Sequence, residues 1–233
     1  NPLLKITDIA ACLSIAREAS LISIVDNTFM TPYFQRPLDL GADIVLHSAT
    51  KFLGGHSDVV LGLAVTRTEA LGARLYAVQN GFGAIPGPWD AWLVMRGIKT
   101  LKVRMDAQSA GAATIAHWLV EHRNVAAVYY PGLDTHPGRA THAKQADGPG
   151  AVLSFKTKTL EQARRFLAAV QYAAPAVSLG GVETIASYPV TMSHAAMPPA
   201  ERQRLGITDT LIRISVGLED PDDLIADFEQ ALS

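Results

Sequence analysis

The stretch "DIVLHSATKFLGGHSD", residues 43 to 58, decides the fold that this sequence predicts. Its apolar part, Ile44 to Leu46, is short, β-branched and bounded by "LGAD", which is typical of a buried strand in a parallel sheet. Lys51 follows at or just past the carboxyl end of that strand. Open α/β sheets bind ligands outside the carboxyl ends of their strands, so we expect Lys51 to face a ligand crevice.

A lysine in such a crevice has a distinct chemistry. Partial loss of water disfavours the ammonium form, and the neutral amine is a nucleophile toward carbonyl groups. The first hypothesis is therefore Schiff-base chemistry at Lys51, and the alternative is a surface lysine in a glycine-rich turn. Ser48 and Thr50 leave a similar choice, because their hydroxyls would either bind a phosphate next to Lys51 or satisfy local backbone groups.

Two charged residues elsewhere bear on this lysine. The strand "LISIV" ends in Asp26, whose carboxylate would pair with the protonated ring nitrogen of pyridoxal phosphate, or would be a turn aspartate of the "DN" type. Arg213 lies in the apolar strand "LIRISVGL", where a lone guanidinium needs a partner. That partner is either an acidic residue such as Glu183 or Asp220, or the carboxylate of an amino-acid substrate.

Composition excludes several classes of function. The 233 residues are 48% hydrophobic and carry a formal net charge of -2, which gives no electrostatic reason to expect nucleic acid or an anionic membrane as a partner. The single cysteine and the absence of CxxC or HxxxH patterns argue against an internal disulfide and a structural zinc. No apolar run approaches the length of a membrane span. We expect no metal and a cytoplasmic location.

The pattern along the chain predicts two regions. Helices and strands alternate over residues 8 to 66, which indicates βαβ units in a mixed, mostly parallel sheet between helices. A long linking helix is predicted from about residue 89 to 122. We therefore expect the later part of a large domain in residues 1–105 and an α+β domain with an antiparallel sheet in 123–233. The start at Asn1, without methionine and close to a helical pattern, predicts a longer original polypeptide.

Several motifs together resemble one enzyme family. The lysine stretch, "VDNTF", "RGIKTL", "SLGGVET", "MSHA" and "TLIRISVGLED" follow in the order found in the Cys/Met metabolism, or trans-sulfuration, enzymes that depend on pyridoxal phosphate. The resemblance extends over practically the whole chain. It implies the fold-type I architecture of pyridoxal phosphate enzymes and bound pyridoxal 5'-phosphate.

The resemblance also implies roles for individual residues. Lys51 would be the Schiff-base lysine, Asp26 the partner of the pyridine nitrogen, and Ser48 and Thr50 the phosphate ligands. Arg213 would anchor the substrate carboxylate. Three further residues are implied near the substrate. Asn1 would lie near the substrate carboxylate and the cofactor's phenolic oxygen, and Ser178 would contact the same carboxylate through its backbone. Glu183 would either accept the distal amino group of the substrate or pair with an arginine.

Within the family, the motifs look more like the cystathionine γ-lyase and γ-synthase branch than the β-lyase. The alternatives are a methionine or homocysteine γ-lyase, an O-acetylhomoserine sulfhydrylase, or a catalytically silent truncated relative that acts as an assembly partner. Substrates would be small sulfur amino acids. The family implies homodimers or homotetramers with shared active sites. The N-terminal part of the family's members has no equivalent in this sequence. We therefore expect this chain alone to bind cofactor poorly and to turn over little substrate.

Overall fold

The computed structural model describes residues 1–233 and contains ten helices and eight strands in two sheets. The helices are α1 (Ile9–Glu18), α2 (Thr31–Phe34), α3 (Pro37–Leu40), α4 (Glu69–Phe82), α5 (Pro88–Ile98), α6 (Leu101–Glu121), α7 (Arg139–Gln145), α8 (Leu160–Ala169), α9 (Pro199–Leu205) and α10 (Pro221–Leu232). The strands are β1 (Ile24–Asp26), β2 (Ile44–Ser48), β3 (Gly62–Thr66), β4 (Val125–Tyr129), β5 (Val152–Thr157), β6 (Ala174–Pro175), β7 (Ile185–Ser187) and β8 (Leu211–Ser215). The α/β class that the sequence predicts is confirmed.

The first sheet brings the two predicted site strands together. Its order is β1-β2-β3, and β1 pairs with β2 in parallel, with Asp26 opposite Leu46. The carboxyl ends of both strands therefore meet at one edge of the sheet, as the sequence predicts. β3 is antiparallel to β2, because the chain between them turns back without the crossover helix that a parallel pairing needs. The sheet is thus mixed, with one parallel and one antiparallel pairing.

The predicted linking helix from about residue 89 to 122 is two helices, α5 and α6, separated at Lys99 and Thr100. Gly97, in the last turn of α5, lies so close to the lysine turn that an added Cβ would be 2.2 Å from the Gly54 carbonyl oxygen. This close packing fixes the direction of α5. The chain then bends before it continues as α6 at Leu101.

The second sheet has the order β4-β5-β8-β7-β6, and all its pairings are antiparallel except β6 with β7. Helices α6, α8 and α10 cover it and close a core that includes Phe155, Phe166 and Phe228. α8 begins with a capping box formed by Thr159 and Gln162. α10 begins after Asp220, whose side chain accepts a hydrogen bond from the Asp222 N–H, as its sequence predicts.

Helix α6 contributes to both cores. Its first residues, Leu101 and Met105, pack with Phe52 and Leu53 of the lysine turn, while Ile115 and its neighbours pack on the second sheet. We propose, on this basis, the division into 1–105 and 123–233. None of the helices has the length and apolar character required to cross a membrane.

Candidate active site

The turn that carries Lys51 is closed by its own backbone and by two glycines. The Gly54 N–H donates to the Ala49 carbonyl and the Gly55 N–H donates to the Lys51 carbonyl. Gly55 has a φ of +76°, and an added Cβ would lie 2.3 Å from the guanidinium of Arg104. The turn therefore needs glycine at this position for conformation and for space.

Beside this turn lies a cavity of about 840 Å³. Four of the predicted site residues line it, namely Asn1, Asp26, Ser48 and Lys51. Asp26 ends β1 and Ser48 ends β2, and the pairing register puts both on the same face of the first sheet. Apolar side chains complete the wall, among them Met30, Val25 and Val152.

The second sheet supplies the other polar groups around the lysine. The Lys51 Nζ donates to the Ser178 Oγ at 2.6 Å, and an Arg213 Nη2 donates to the Ser178 carbonyl at 3.1 Å. Burial and, secondarily, the positive charge of Arg213 hold the pKa of the Lys51 amine below its ordinary value. The partly desolvated lysine that the sequence predicts is therefore present, with a larger neutral fraction near neutral pH.

Arg213 has no acidic partner. Its residue is 7% exposed, no carboxylate lies within salt-bridge distance, and its Nε is buried without a hydrogen-bond partner. Glu183 and Asp220, the two candidate partners, bond elsewhere, Glu183 to the Ser57 hydroxyl and Asp220 to its own helix. Burial lowers the pKa of the guanidinium. Of the two interpretations of Arg213, the geometry favours binding of a ligand carboxylate.

The predicted phosphate ligands differ in their surroundings. The Ser48 hydroxyl makes no hydrogen bond within the chain, although its backbone N–H donates to the Thr28 Oγ at 2.8 Å. The Thr50 Oγ accepts from the Leu61 N–H at 3.0 Å, so this hydroxyl also has a local backbone role. The other four predicted site residues do not line the cavity, namely Thr50, Ser178, Glu183 and Arg213.

Asn1 and Asp26 are engaged mainly with their own chain segments. The Asn1 side chain donates to the Lys5 carbonyl at 2.7 Å and accepts from the Lys5 N–H at 3.0 Å. Asp26 accepts from the Thr28 N–H at 3.0 Å through one carboxylate oxygen, Oδ1. Its other oxygen makes no hydrogen bond and remains free to receive a proton donor.

Two further residues lie next to this site, Arg104 and Gln108 of α6, and no sequence motif predicted a role for them. Both are buried and both donate to backbone carbonyls near the lysine turn and the Ser178 loop. The available signal was their spacing, because positions four apart on a helix share a face, and Arg104 and Gln108 interrupt the apolar face that contains Leu101 and Met105.

The residues fit pyridoxal phosphate. A lysine with a lowered pKa suits its aldehyde, the free carboxylate oxygen of Asp26 suits its ring nitrogen, and the unbonded Ser48 hydroxyl suits its phosphate. The buried Nε of Arg213 suits the carboxylate of an amino acid. No group of three or more His, Cys, Asp or Glu side chains is arranged to bind a metal ion.

Known proteins support the same family. The family model described as "Cys/Met metabolism PLP-dependent enzyme" matches residues 1–233. The chain is 56% identical to the cystathionine beta-lyase MetC of Bacillus subtilis and 53% identical to the cystathionine gamma-lyase of that organism. In both cases 100% of this chain is covered, and it spans 60% and 61% of the two relatives.

Solved structures give the same result. The cystathionine gamma-lyase of Lactobacillus plantarum, complexed with L-serine, superimposes with a TM-score of 0.97 at 47% identity over 99% of this chain and 61% of its own. The cystathionine gamma synthase of Xanthomonas oryzae pv. oryzae, in complex with cystathionine, gives 0.97 at 44% identity over 100% and 60%. The fold-type I architecture is confirmed. The chain belongs to the Cys/Met metabolism family of enzymes that depend on pyridoxal phosphate.

Proposed function

We propose that the protein that contains this chain acts on cystathionine, and that it breaks or forms a carbon–sulfur bond with pyridoxal 5'-phosphate as cofactor. The observation that carries the proposal is the position of the Lys51 amine, 2.6 Å from the Ser178 hydroxyl and beside a buried arginine without an acidic partner. An amine with a lowered pKa next to a guanidinium that has no carboxylate partner suits an amino-acid substrate, whose carboxylate is bound while its α-proton is removed.

In this proposal each residue has one task. When bound, pyridoxal phosphate supplies an aldehyde for the lysine and a protonated ring that accepts electrons from the α-carbon. Lys51 binds it and then accepts the proton at its Nζ. Asp26 keeps the ring nitrogen protonated through its free carboxylate oxygen. Ser48 and Thr50 bind the phosphate.

The substrate groups lie toward the second sheet. Arg213 binds the α-carboxylate through its Nε, which has no partner in the chain, together with its Nη2, whose hydrogen bonds to the Ser178 carbonyl and the Ser187 Oγ are long. Ser178 has a φ of +89°, a strained conformation for serine, which aims its hydroxyl at Lys51 and its carbonyl at Arg213. Asn1 closes the cavity near the same carboxylate. Glu183 would accept a hydrogen bond from the distal amino group of the substrate only after its hydrogen bond with the Ser57 hydroxyl broke.

Two positions of bond cleavage have support. The sequence motifs favour reaction at the γ-carbon, whereas the 56% identity to a β-lyase favours the β-carbon. The two reactions are distinguished by their products. Cleavage at the γ-carbon of cystathionine yields cysteine and 2-oxobutyrate, and cleavage at the β-carbon yields homocysteine and pyruvate, each with ammonia.

The assay uses the intact native protein with cystathionine, and separately with cysteine plus O-succinylhomoserine or O-acetylhomoserine for the synthetic direction. Identification of the oxoacid decides between the two carbons. In parallel, borohydride should fix pyridoxal phosphate covalently to Lys51, with loss of the visible absorption band, and Lys51→Ala should show neither. A protein that stays colourless with added pyridoxal phosphate would instead be the silent relative.

We also propose a homodimer or homotetramer in the cytoplasm. Helix α4 has no buried residue, and Phe82 at its end is 86% exposed. Trp89 and Trp92 of α5 are likewise exposed. Apolar surface of this kind supports a covering by the rest of the protein or by a second subunit. Sedimentation of the intact protein tests the oligomeric state.

A further inference from the structure

We propose that Arg104 and Gln108 of α6 are positioning residues of the active site. Arg104 fixes the turn that carries Lys51, and Gln108 fixes the loop and the strand that carry Ser178 and Arg213. The inference rests on the proposed function, because it assigns to this pair the spacing of the groups that act there. Neither side chain is bonded to Lys51, so both act through the backbone.

Arg104 binds three groups from inside the protein. Its residue is 3% exposed, and it donates to the Phe52 carbonyl at 2.7 Å, to the Gly97 carbonyl at 2.9 Å and to the Thr100 Oγ at 3.1 Å. Phe52 follows Lys51 directly. The Gly97 carbonyl belongs to the last turn of α5, where the helix dipole favours a cation. Arg104 thus ties the lysine turn to the end of α5.

Gln108 makes the equivalent connection to the second sheet. It is fully buried, and its Nε2 donates to the Gly181 carbonyl at 2.7 Å and to the Val216 carbonyl at 2.9 Å. Both amide hydrogens are therefore used. Gly181 ends the loop that begins at Ser178, and Val216 follows the strand that contains Arg213.

The two connections meet at the lysine. Gly180 packs on the lysine turn so closely that an added Cβ would lie 2.6 Å from the Phe52 backbone nitrogen and 3.0 Å from the Lys51 carbonyl carbon. Arg104 and Gln108 are one helical turn apart on one face of α6, a rise of about 6 Å. A rigid helix therefore sets the distance between the lysine turn and the Ser178 loop.

The polar side chains of Arg104 and Gln108 are not required simply to fill the space that they occupy. Arg104 has no carboxylate within salt-bridge distance, and the Gln108 Oε1 is buried without a partner. An apolar side chain of similar volume at either position would bring no polar group of its own that needs a partner. A charge and an amide at these positions are explained by the carbonyls that they orient.

The readout is the pKa of the Lys51 amine. Burial lowers this pKa, and so does the positive charge of Arg213 from β8, while Asp26 from β1 lines the same cavity as Lys51. If Arg104 or Gln108 no longer fixes the spacing, Lys51 moves away from Arg213 and into water. Its pKa then rises toward the ordinary value, which a purely structural contact elsewhere in the fold would not cause.

The experiment labels the intact, cofactor-free protein with trace acetic anhydride across pH, and mass spectrometry of the Lys51 peptide gives the midpoint of the profile. For Arg104→Met and Gln108→Met we expect an upward shift of about one pH unit, equivalent to about tenfold less neutral amine at neutral pH. Arg104→Lys should shift it less, because one donor remains for the Phe52 carbonyl. The matched controls are Arg164→Met on the exposed face of α8 and Gln203→Met on α9.

Variants are compared only if circular dichroism shows native helix content. If Arg104→Met does not fold, Arg104→Lys and Gln108→Met decide the question. Folded variants with the wild-type midpoint would overturn the inference, as would an equal shift in the controls. Borohydride trapping of pyridoxal phosphate on wild-type Lys51 is measured alongside, so that a failure of the proposed function is seen separately as absent trapping in wild type.

Discussion

Replacement of Arg213 by methionine should separate function from stability. The buried guanidinium has no acidic partner, and its two hydrogen bonds, to the Ser178 carbonyl at 3.1 Å and the Ser187 Oγ at 3.4 Å, are long. Loss of the two bonds would cost about 1 to 2 kcal/mol in total. Removal of an unpaired buried charge in favour of an apolar side chain would return about 1 to 4 kcal/mol. We therefore expect the change in the free energy of unfolding to lie between a fall of about 1 kcal/mol and a rise of about 3 kcal/mol.

The effect on catalysis should be large and opposite. A two-pronged bond between arginine and carboxylate consists of two charge-assisted hydrogen bonds of about 1.5 to 3 kcal/mol each. Their loss from the bound substrate corresponds to a fall of at least about 100-fold in kcat/KM. Arg213→Lys keeps the charge without the planar fork and should recover only part of this loss.

The assay combines urea unfolding of the intact protein with steady-state kinetics on cystathionine, and Arg164→Met, on the exposed face of α8, is the matched control. The reasoning would be refuted by Arg213→Met unfolding more than about 2 kcal/mol more easily than wild type, because the arginine would then be a structural residue. It would also be refuted by an unchanged kcat/KM in a folded variant.

Other perturbations have equally definite outcomes. Gly55→Ala should lower the free energy of unfolding by about 2 to 4 kcal/mol in urea titration. Gly55 has a φ of +76°, and the added Cβ would lie 2.3 Å from the Arg104 guanidinium. An unchanged unfolding midpoint would contradict this packing. Asp227→Ala should cost about 2 to 4 kcal/mol in the same titration, since the buried carboxylate accepts backbone N–H groups at 2.8 and 3.0 Å. Burial holds the pKa of His142 below its ordinary value, so the unfolded state binds more protons and stability is lost as pH falls below about 6.5. Thermal melts of His142→Gln should therefore show a weaker acid dependence than wild type, and an equal dependence would contradict this reasoning.

The predictable part of the site follows from local patterns. The apolar run before Lys51 and the strand before Asp26 are short and end in polar residues, and parallel pairing then requires both ends to meet at one edge. The lone charge of Arg213 in an apolar strand also indicated that it needs a partner, either an acidic residue or a ligand carboxylate. Each of these inferences needs only neighbours in sequence and one pairing rule.

The remaining features depend on contacts between distant segments. The division of the linking helix at Lys99 and Thr100 results from Gly97 packing on Gly54, and a glycine is tolerated in a helix without such a reason. The role of Gln108 likewise depends on two carbonyls more than 70 residues away in sequence. The periodicity of apolar residues predicts which face of a helix is buried. It does not predict which residues that face contacts.

The pair of side chains on α6 has a consequence for how this family can vary. One residue inserted or deleted between Arg104 and Gln108 would rotate the second around the helix by about 100°, away from the Gly181 and Val216 carbonyls. Natural variants and engineered homologues should therefore tolerate many amino-acid exchanges along the exposed side of this helix, yet no change of length within this turn.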